Sequence, residues 1–422
     1  MTASKPQSPR IAALQAEIER GNSTALDTFW KNISEQGTPL IEPVEDNGRH
    51  SWVTFLWRAT EPTENVVVVS ALSGPNSYNL KSFLMVNIKG TDVWYKTYRA
   101  RNDLRTTYRL SVNDPLVPWE EVADEDWQDY SARFRTDPLN SRKYVYPKDP
   151  ENAEDKGRVY SILELPGAKV QEWVSPRPGV RAGQLEEHHV KSETLNNERR
   201  VQVYTPAGYD TDGEAYPVLV LFDGWSYTRY MSATTTLDNL IAAGRIPPML
   251  ALFLDSPDRN NELPCNPHFA SFLAHELVPW ARKLYHISHD ASRNVIGGAS
   301  YGGLAATYAA MRYPQLFGNV LSQSGAFWWK PDSDPEHEWI TRQFVSRRKN
   351  LPLHFYLDVG LLEKWPSPDN GPDILISNRH MRDVLEAKGY WVHYAEFNGG
   401  HDDIWWQGGL ADGLISLVGT SA

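Results

Sequence analysis

One cysteine, Cys265, occurs among 422 residues. Without a second thiol the chain cannot close an internal disulfide, so packing must hold it together, and a reducing compartment is compatible. Basic charge is also scarce. The 42 Lys and Arg face 53 Asp and Glu, for a net charge of −11. That argues against a nucleic-acid partner, whose phosphates need a basic face. It leaves room for an anionic small molecule, because a local arginine cluster can reverse the field in one cleft. No apolar run approaches membrane-spanning length. The first residues, Met1 to Arg10, lack the apolar stretch of a secretory signal. A soluble, cytoplasmic protein with no membrane partner is the expectation.

Apolar material is plentiful by contrast. The hydrophobic fraction is 41%, and the chain has 16 tryptophans, most of which are expected to fill cores. The length predicts two domains, or three small ones. Residues 10–36 read as helical, with apolar positions at Ile11, Leu14, Ile18 and Leu26. From His50 to Asn113 the period falls to two. Ser51–Arg58, Val66–Ala71, Trp94–Arg99 and Thr107–Val112 read as strands, separated by turn clusters such as Ser73-Gly74-Pro75-Asn76. This pattern predicts a small β-sandwich. A Pro-rich, charged stretch from Asp137 to Gly157 follows and reads as a linker. In the second half, strand and helix signals alternate, with continuous apolar runs at Val218–Phe222 and Met249–Leu254. Such runs suit strands buried on both faces. The predicted architecture is α/β. It has an N-terminal helical lead and β-sandwich over residues 1–150, a linker over 151–185, and a C-terminal α/β-hydrolase domain over 186–422. That last domain is built on a mostly parallel, doubly wound sheet.

The most specific motif is Gly298-Ala299-Ser300-Tyr301-Gly302, a nucleophile elbow. An apolar strand, Asn294-Val295-Ile296, runs into it, and a helical pattern from Leu304 runs out. The turn between them is tight enough to need glycine on both sides of the serine, and it lifts the hydroxyl to the carboxyl end of the sheet. Ser300 is then the expected nucleophile. Its base should lie after the last strand. His401, which follows Asn398-Gly399-Gly400, fits that place. The acid should follow the preceding strand, where Asp358 and Glu363 both qualify. Glu363, in the loop beyond the strand end, has more freedom to reach His401 and is the expected acid. Two backbone N–H groups should form the oxyanion hole. One belongs to Tyr301, and the other to the Asp223-Gly224-Trp225 loop, where Gly224 permits close approach and Trp225 is the expected donor.

These residues sit in segments that resemble the enterochelin (ferric enterobactin) esterase family. The segments are Leu221-Phe222-Asp223-Gly224, Arg259 to Asn266, Gly298 to Leu304, Val320 to Gly325 with Phe327-Trp328-Trp329, and Gly399-Gly400-His401-Asp402. Gly90 to Tyr95 and Asp137-Pro138-Leu139-Asn140 are similar to the family's β-rich N-terminal domain. The resemblance implies a serine esterase that opens iron-loaded catecholate siderophores, serine lactones bearing dihydroxybenzoyl groups, in the cytoplasm. It implies no cofactor and no resident metal, because iron arrives with the substrate. Ser300, His401 and Glu363 carry over as the catalytic residues, and Arg259 and Glu262 match positions beside the site.

A ferric catecholate is aromatic and anionic, so its pocket wants cations and aromatic faces. Arg259 either balances that charge or pairs with Glu262 to order its loop. Trp225, Trp329 and Trp405 flank catalytic loops and are expected substrate contacts. Arg99, Arg101 and Arg105 follow a strand and are expected either to face the cleft or, as such charge runs more often do, to form a solvated face. The alternative activity is a carboxylesterase of the feruloyl or acyl-ester type on the same fold. A non-catalytic binding protein on this scaffold would show damage at Ser300, His401 or the elbow glycines, and all are intact.

Overall fold

The computed structural model describes residues 7–45, 48–74, 80, 82–118, 121–122, 130–365, 367 and 371–420. Pro75 and Asn76 of the expected turn cluster lie outside them. The chain divides into two compact units. One comprises Met1–Val170 with Asn398–Asp402, and the other Gln171–Phe397 with Asp403–Ala422.

The N-terminal unit opens with two helices, Pro9–Glu19 and Ala25–Gln36. Ser8 caps the first by accepting from the Ile11 N–H. Two antiparallel sheets follow. Strands β1 (Leu40–Pro43), β2 (His50–Arg58), β3 (Val66–Ser70), β4 (Val86–Asn87), β5 (Val93–Arg101), β6 (Arg105–Val112), β7 (Phe134–Arg135), β8 (Lys143–Tyr146) and β9 (Arg158–Glu164) sort into orders β1-β2-β5-β4 and β3-β6-β9-β8, with β7 on β6. The sheets meet through Phe55 of β2 and Tyr108 of β6, whose rings lie 4.7 Å apart edge to face. This is the predicted sandwich.

The stretches read as linker differ from expectation, because Asp137–Gly157 carries β8, and residues 151–185 carry β9 and the start of β10. Pro and charge between short strands hide their alternation. Buried Asp137 ties the first stretch to the rest, accepting from Thr38 Oγ1 and Tyr108 Oη, both at 2.7 Å.

In the C-terminal unit, strands β10 (Gln184–Ser192), β11 (Asn197–Thr205), β12 (Val218–Phe222), β13 (Leu250–Leu254), β14 (Val295–Ala299), β15 (Asn319–Gln323), β16 (His354–Gly360) and β17 (Trp391–Phe397) form one sheet. Its order is β10-β11-β13-β12-β14-β15-β16-β17. From β13 to β17 all pairs are parallel, while β10 and β11 add an antiparallel edge.

Alternation explains the continuous apolar runs. Val218, Val220 and Phe222 join one core with Leu252, Ile296, Val320 and Phe355. Leu219 and Leu221 point the other way, into a second core with Phe253, Leu321, Leu240 and Leu410. Both faces are therefore covered, as a doubly wound sheet requires. β10 was illegible in the sequence, because its Leu-Glu-Glu-His-His run is mostly exposed at the sheet edge.

The helix Tyr301–Arg312 lies close on β15. A Cβ at Gly303 would sit 2.4 Å from Ser322 Oγ, 3.1 Å from Gly325 Cα and 3.2 Å from the Gly298 carbonyl oxygen. Gly303→Ala should therefore push the helix off the sheet and lower stability by about 1–3 kcal/mol. Urea unfolding checks this, and a wild-type midpoint would disprove the close fit.

Candidate active site

The parallel strands point their carboxyl ends at one edge of the sheet, where ligands of such folds bind. At this edge the backbone leaves three strands in the left-handed region without glycine. Asp223 after β12 has φ 57°, Ser300 after β14 has φ 58°, and Ser324 after β15 has φ 48°. Strain of this kind, about 1–3 kcal/mol per residue, persists only where surroundings enforce it. At Ser300 the enforcement is visible. Its N–H donates to the Gln323 carbonyl at 2.9 Å, and its carbonyl accepts from the Ala326 N–H at 3.0 Å. A Cβ at Gly298 would lie 2.9 Å from the Gly302 backbone, so the elbow needs its glycine there.

The elbow and the loop after β12 are neighbours. A Cβ at Gly302 would come within 3.6 Å of both Phe222 Cβ and Asp223 Oδ2. Tyr301 and Gly224 each open a helix, Tyr301–Arg312 and Gly224–Arg229. Their N–H groups have no partner among the described residues, as first-turn donors commonly do. Trp225 is the exception that corrects an expectation. Its N–H donates to Asp255 Oδ1 at 2.8 Å, so it is not free to meet an oxyanion.

Arg259 and Glu262 do not pair with each other. Arg259 forks onto Asp223, Nε to Oδ1 at 2.6 Å and Nη2 to Oδ2 at 2.8 Å, with its guanidinium 5.8 Å from the Tyr301 ring centre. It buttresses the loop after β12. Glu262 is 5% exposed, and Arg199 and Asn197 occupy its carboxylate. The expectation of a substrate-contacting Glu262 is thus corrected to a buried ion pair. Trp405 is likewise core, 9% exposed and stacked on Phe397 at 4.8 Å. Trp329 is half-buried, edge to face with Trp339.

Trp225 is half-buried too, with Arg200 at 4.7 Å and Arg229 at 5.0 Å from its ring centre. Sequence reasoning missed Arg229, which is exposed and has no carboxylate partner among the described residues. Its place at the end of the helix Gly224–Arg229 was the available signal. Arg105, expected to face the cleft or solvent, is 4% exposed and paired with Glu164.

The two candidate acids occupy different environments. Glu363 is fully buried in the loop beyond β16. Its Oε1 accepts from the Gly360 N–H at 2.7 Å and from Ser324 Oγ at 2.5 Å. Ser324 Oγ in turn accepts from Trp406 Nε1 at 3.0 Å. Asp358 points into the sheet interior, with Oδ1 lacking any hydrogen bond. Burial pushes its pKa up to about 8, helped by the nearby Glu363 and Asp412 charges and opposed by hydrogen bonds from Gln323 and Tyr356.

His401 sits in the five-residue stretch Asn398–Asp402 that clusters with the N-terminal unit. There Asp402 Oδ2 accepts from the Thr107 N–H at 2.6 Å and Thr107 Oγ1 at 2.9 Å. A Cβ on Gly400 would meet Ala71 Cβ at 2.7 Å, which explains a glycine just before the histidine.

A strained serine at a strand–turn–helix elbow, on a doubly wound sheet, defines a hydrolase of the α/β-hydrolase class. Residues 192–417 match the Esterase family model, and residues 52–174 match the model of the enterochelin esterase N-terminal domain. An iron(III) enterobactin esterase from Dickeya dadantii is 32% identical over 99% of this chain and 98% of its own. The crystal structure of a ferric enterobactin esterase from Salmonella typhimurium covers 93% of this chain and 98% of its own. It does so at 29% identity with a TM-score of 0.74. That of an enterobactin esterase from Shigella flexneri, in the presence of enterobactin, covers 92% and 97% at 28% identity with a TM-score of 0.71. The chain belongs to the enterochelin esterase family. No helix among the described residues is long and apolar enough to cross a membrane.

Two outcomes follow from these buried charges. Glu262→Ala strands Arg199 in the core and should cost about 3–5 kcal/mol of stability, read by urea unfolding. A loss below about 1 kcal/mol would contradict the buried pair. Asp358, with its folded pKa above the ordinary value near 4, keeps a proton that the unfolded chain releases. Its contribution is therefore greatest below about pH 4 and declines as pH rises to about 8. Asp358→Asn should flatten that decline in unfolding curves at pH 5, 7 and 9. An unchanged slope would place the charged form in the fold.

Proposed function

We propose that this protein hydrolyses the ester bonds of iron-loaded catecholate siderophores of the enterobactin type, acting in the cytoplasm. The observation that carries the reading is an intact, strained elbow in a chain that also matches the enterochelin esterase N-terminal domain over residues 52–174. That second match favours siderophores over feruloyl or other acyl esters, for which a hydrolase domain alone would serve. The single cysteine suits a reducing compartment.

In this reading Ser300 attacks the carbonyl carbon of a seryl ester while His401 takes the hydroxyl proton. Glu363 holds the imidazole in the right tautomer and stabilises the imidazolium. The hydrogen bonds from Gly360 and Ser324 hold the Glu363 side chain in place. Asp358, protonated over much of the neutral range, is unsuited to that task. The tetrahedral oxyanion is met by the N–H groups of Tyr301 and Gly224. Collapse breaks the ester C–O bond, and His401 returns the proton to the leaving serine hydroxyl. Water, deprotonated by His401, then cleaves the acyl-enzyme and regenerates Ser300. Arg229, on the Trp225 face, supplies a cation for the anionic substrate.

Incubation with ferric enterobactin, followed by mass spectrometry, tests the reading. Each opened ester should add one water. Ser300→Ala should lower the rate roughly a millionfold, and Glu363→Gln roughly ten-thousandfold, with Asp358→Asn far milder. Intact macrocycle after incubation with wild-type enzyme would sink the siderophore reading. The opposite ranking of the two acids would transfer the role to Asp358.

A further inference from the structure

Gln323 closes β15 and is fully buried. Its carbonyl accepts the Ser300 N–H at 2.9 Å. Its side chain makes bonds of its own. Oε1 accepts from Tyr227 Oη at 2.8 Å, and Nε2 donates to the Trp406 carbonyl at 2.8 Å. A further hydrogen bond joins the amide to the Asp358 carboxyl.

The partners fix which way the amide faces. Tyr227 is fully buried, and burial, with the nearby Asp223 charge, holds its phenol well above the usual range. The hydroxyl therefore stays protonated and donates. The Trp406 carbonyl can only accept. An amide offers the acceptor and the donor from one short side chain. A carboxylate here would set an oxygen against the carbonyl.

Topology gives the Tyr227 bond its reach. The sheet runs β12-β14-β15 through this region. Tyr227 lies on the helix after β12 and Gln323 at the end of β15, so their bond bridges β14, the strand that ends beside Ser300. It does so on the face where Tyr227, Ala299 and Trp406 share a core. The helix Tyr301–Arg312 packs on the opposite face, where Leu304 and Ala306 join the other core. The elbow is thus held from both faces. Two other ties of the loop after β12 run to the segment after β13, from the Trp225 N–H to Asp255 and from Arg259 to Asp223. The Tyr227 bond runs the other way, toward the elbow.

We propose that Gln323, acting through Tyr227, is a positioning residue that sets the spacing of the Tyr301 and Gly224 N–H groups. The inference rests on the reading above that these two groups meet the oxyanion. The Gln323 carbonyl fixes the backbone one residue before Tyr301, and its side chain fixes Tyr227, three residues after Gly224. One residue therefore reaches both donors. Donors of this kind work because they are in place before the charge develops. Losing the bond should then tell on the transition state and not on substrate binding.

The test uses full-length protein carrying Tyr227→Phe and Gln323→Met, singly and together. p-Nitrophenyl acetate is the substrate, because it reports on the hydrolytic site whatever the natural ester. Phenylboronic acid, whose boron takes up the serine oxygen as a tetrahedral anion, reports on the oxyanion donors. Each single variant should lower kcat about tenfold to a hundredfold, less than the loss of a whole donor, with KM held within about twofold. Affinity for phenylboronic acid should fall by the same factor as kcat. The double variant should be no slower than Gln323→Met, because both substitutions cut one bond. Tyr227→Phe keeps the ring and loses one hydroxyl, so it carries the test if Gln323→Met unfolds in a thermal scan. Wild-type kcat in a folded variant would overturn the proposal, and so would a slowed variant that binds phenylboronic acid as the wild type does. If phenylboronic acid fails to bind the wild type, the oxyanion reading fails and takes the inference with it, an outcome distinct from a loss confined to the variants.

Discussion

The left-handed backbone at Ser300 is the constraint on which the site depends. A serine at φ 58° is held there by the carbonyl of Gln323 on one side and the N–H of Ala326 on the other. Both anchors come from the end of β15. That segment includes Ser324, whose own φ is 48° and whose hydroxyl reaches Glu363. One stretch of chain therefore fixes the Ser300 backbone and the Glu363 carboxylate together. On the other flank, Gly302 abuts Asp223, also left-handed, which Arg259 clamps with two hydrogen bonds. Three strained turns support one another across neighbouring strands, so the cost of each is shared by packing and hydrogen bonds that none could recruit alone.

Much of this was legible in the sequence, for identifiable reasons. The elbow was legible because its glycines answer a steric demand that holds wherever the motif occurs. The doubly wound sheet was legible because strands buried on both faces must read as unbroken apolar runs, as Val218–Phe222 does. What was hidden depended on partners distant in sequence. The pairing of Arg199 with Glu262, residues 63 apart, decides that Glu262 is structural, and no local pattern announces it. The Trp225 N–H is lost to the oxyanion hole because of Asp255, 30 residues on. β8 and β9 were obscured by the Pro-rich chain around them, and β10 by the polar face of an edge strand.

The two buried carboxyls near the end of β16 illustrate how environment separates identical chemistry. Asp358 and Glu363 are five residues apart, and the Glu363 charge raises the cost of charging Asp358. Glu363 receives donors from Gly360 and Ser324, while Asp358 has an oxygen without any donor, and burial favours its neutral form. The neutral carboxyl serves the core between β15 and the helix Asp403–Val418, where a Cβ on Gly409 would lie 2.5 Å from Asp358 Oδ2.

Charge sets a further constraint in a protein of net charge −11. Several arginines around the strand ends are already neutralised, Arg259 by Asp223, Arg200 by Asp255 and Arg199 by Glu262. Their positive charge stabilises loops and contributes little field beyond them. Arg229 is built differently. It rests on the Trp225 ring, with no carboxylate partner among the described residues. A ring holds a guanidinium in place without cancelling its charge, because the quadrupole of the ring face carries no net charge. The N–H edge stays available to an incoming oxyanion. In an acidic chain, mounting cations on aromatic faces keeps positive potential at chosen points while the surface as a whole stays negative.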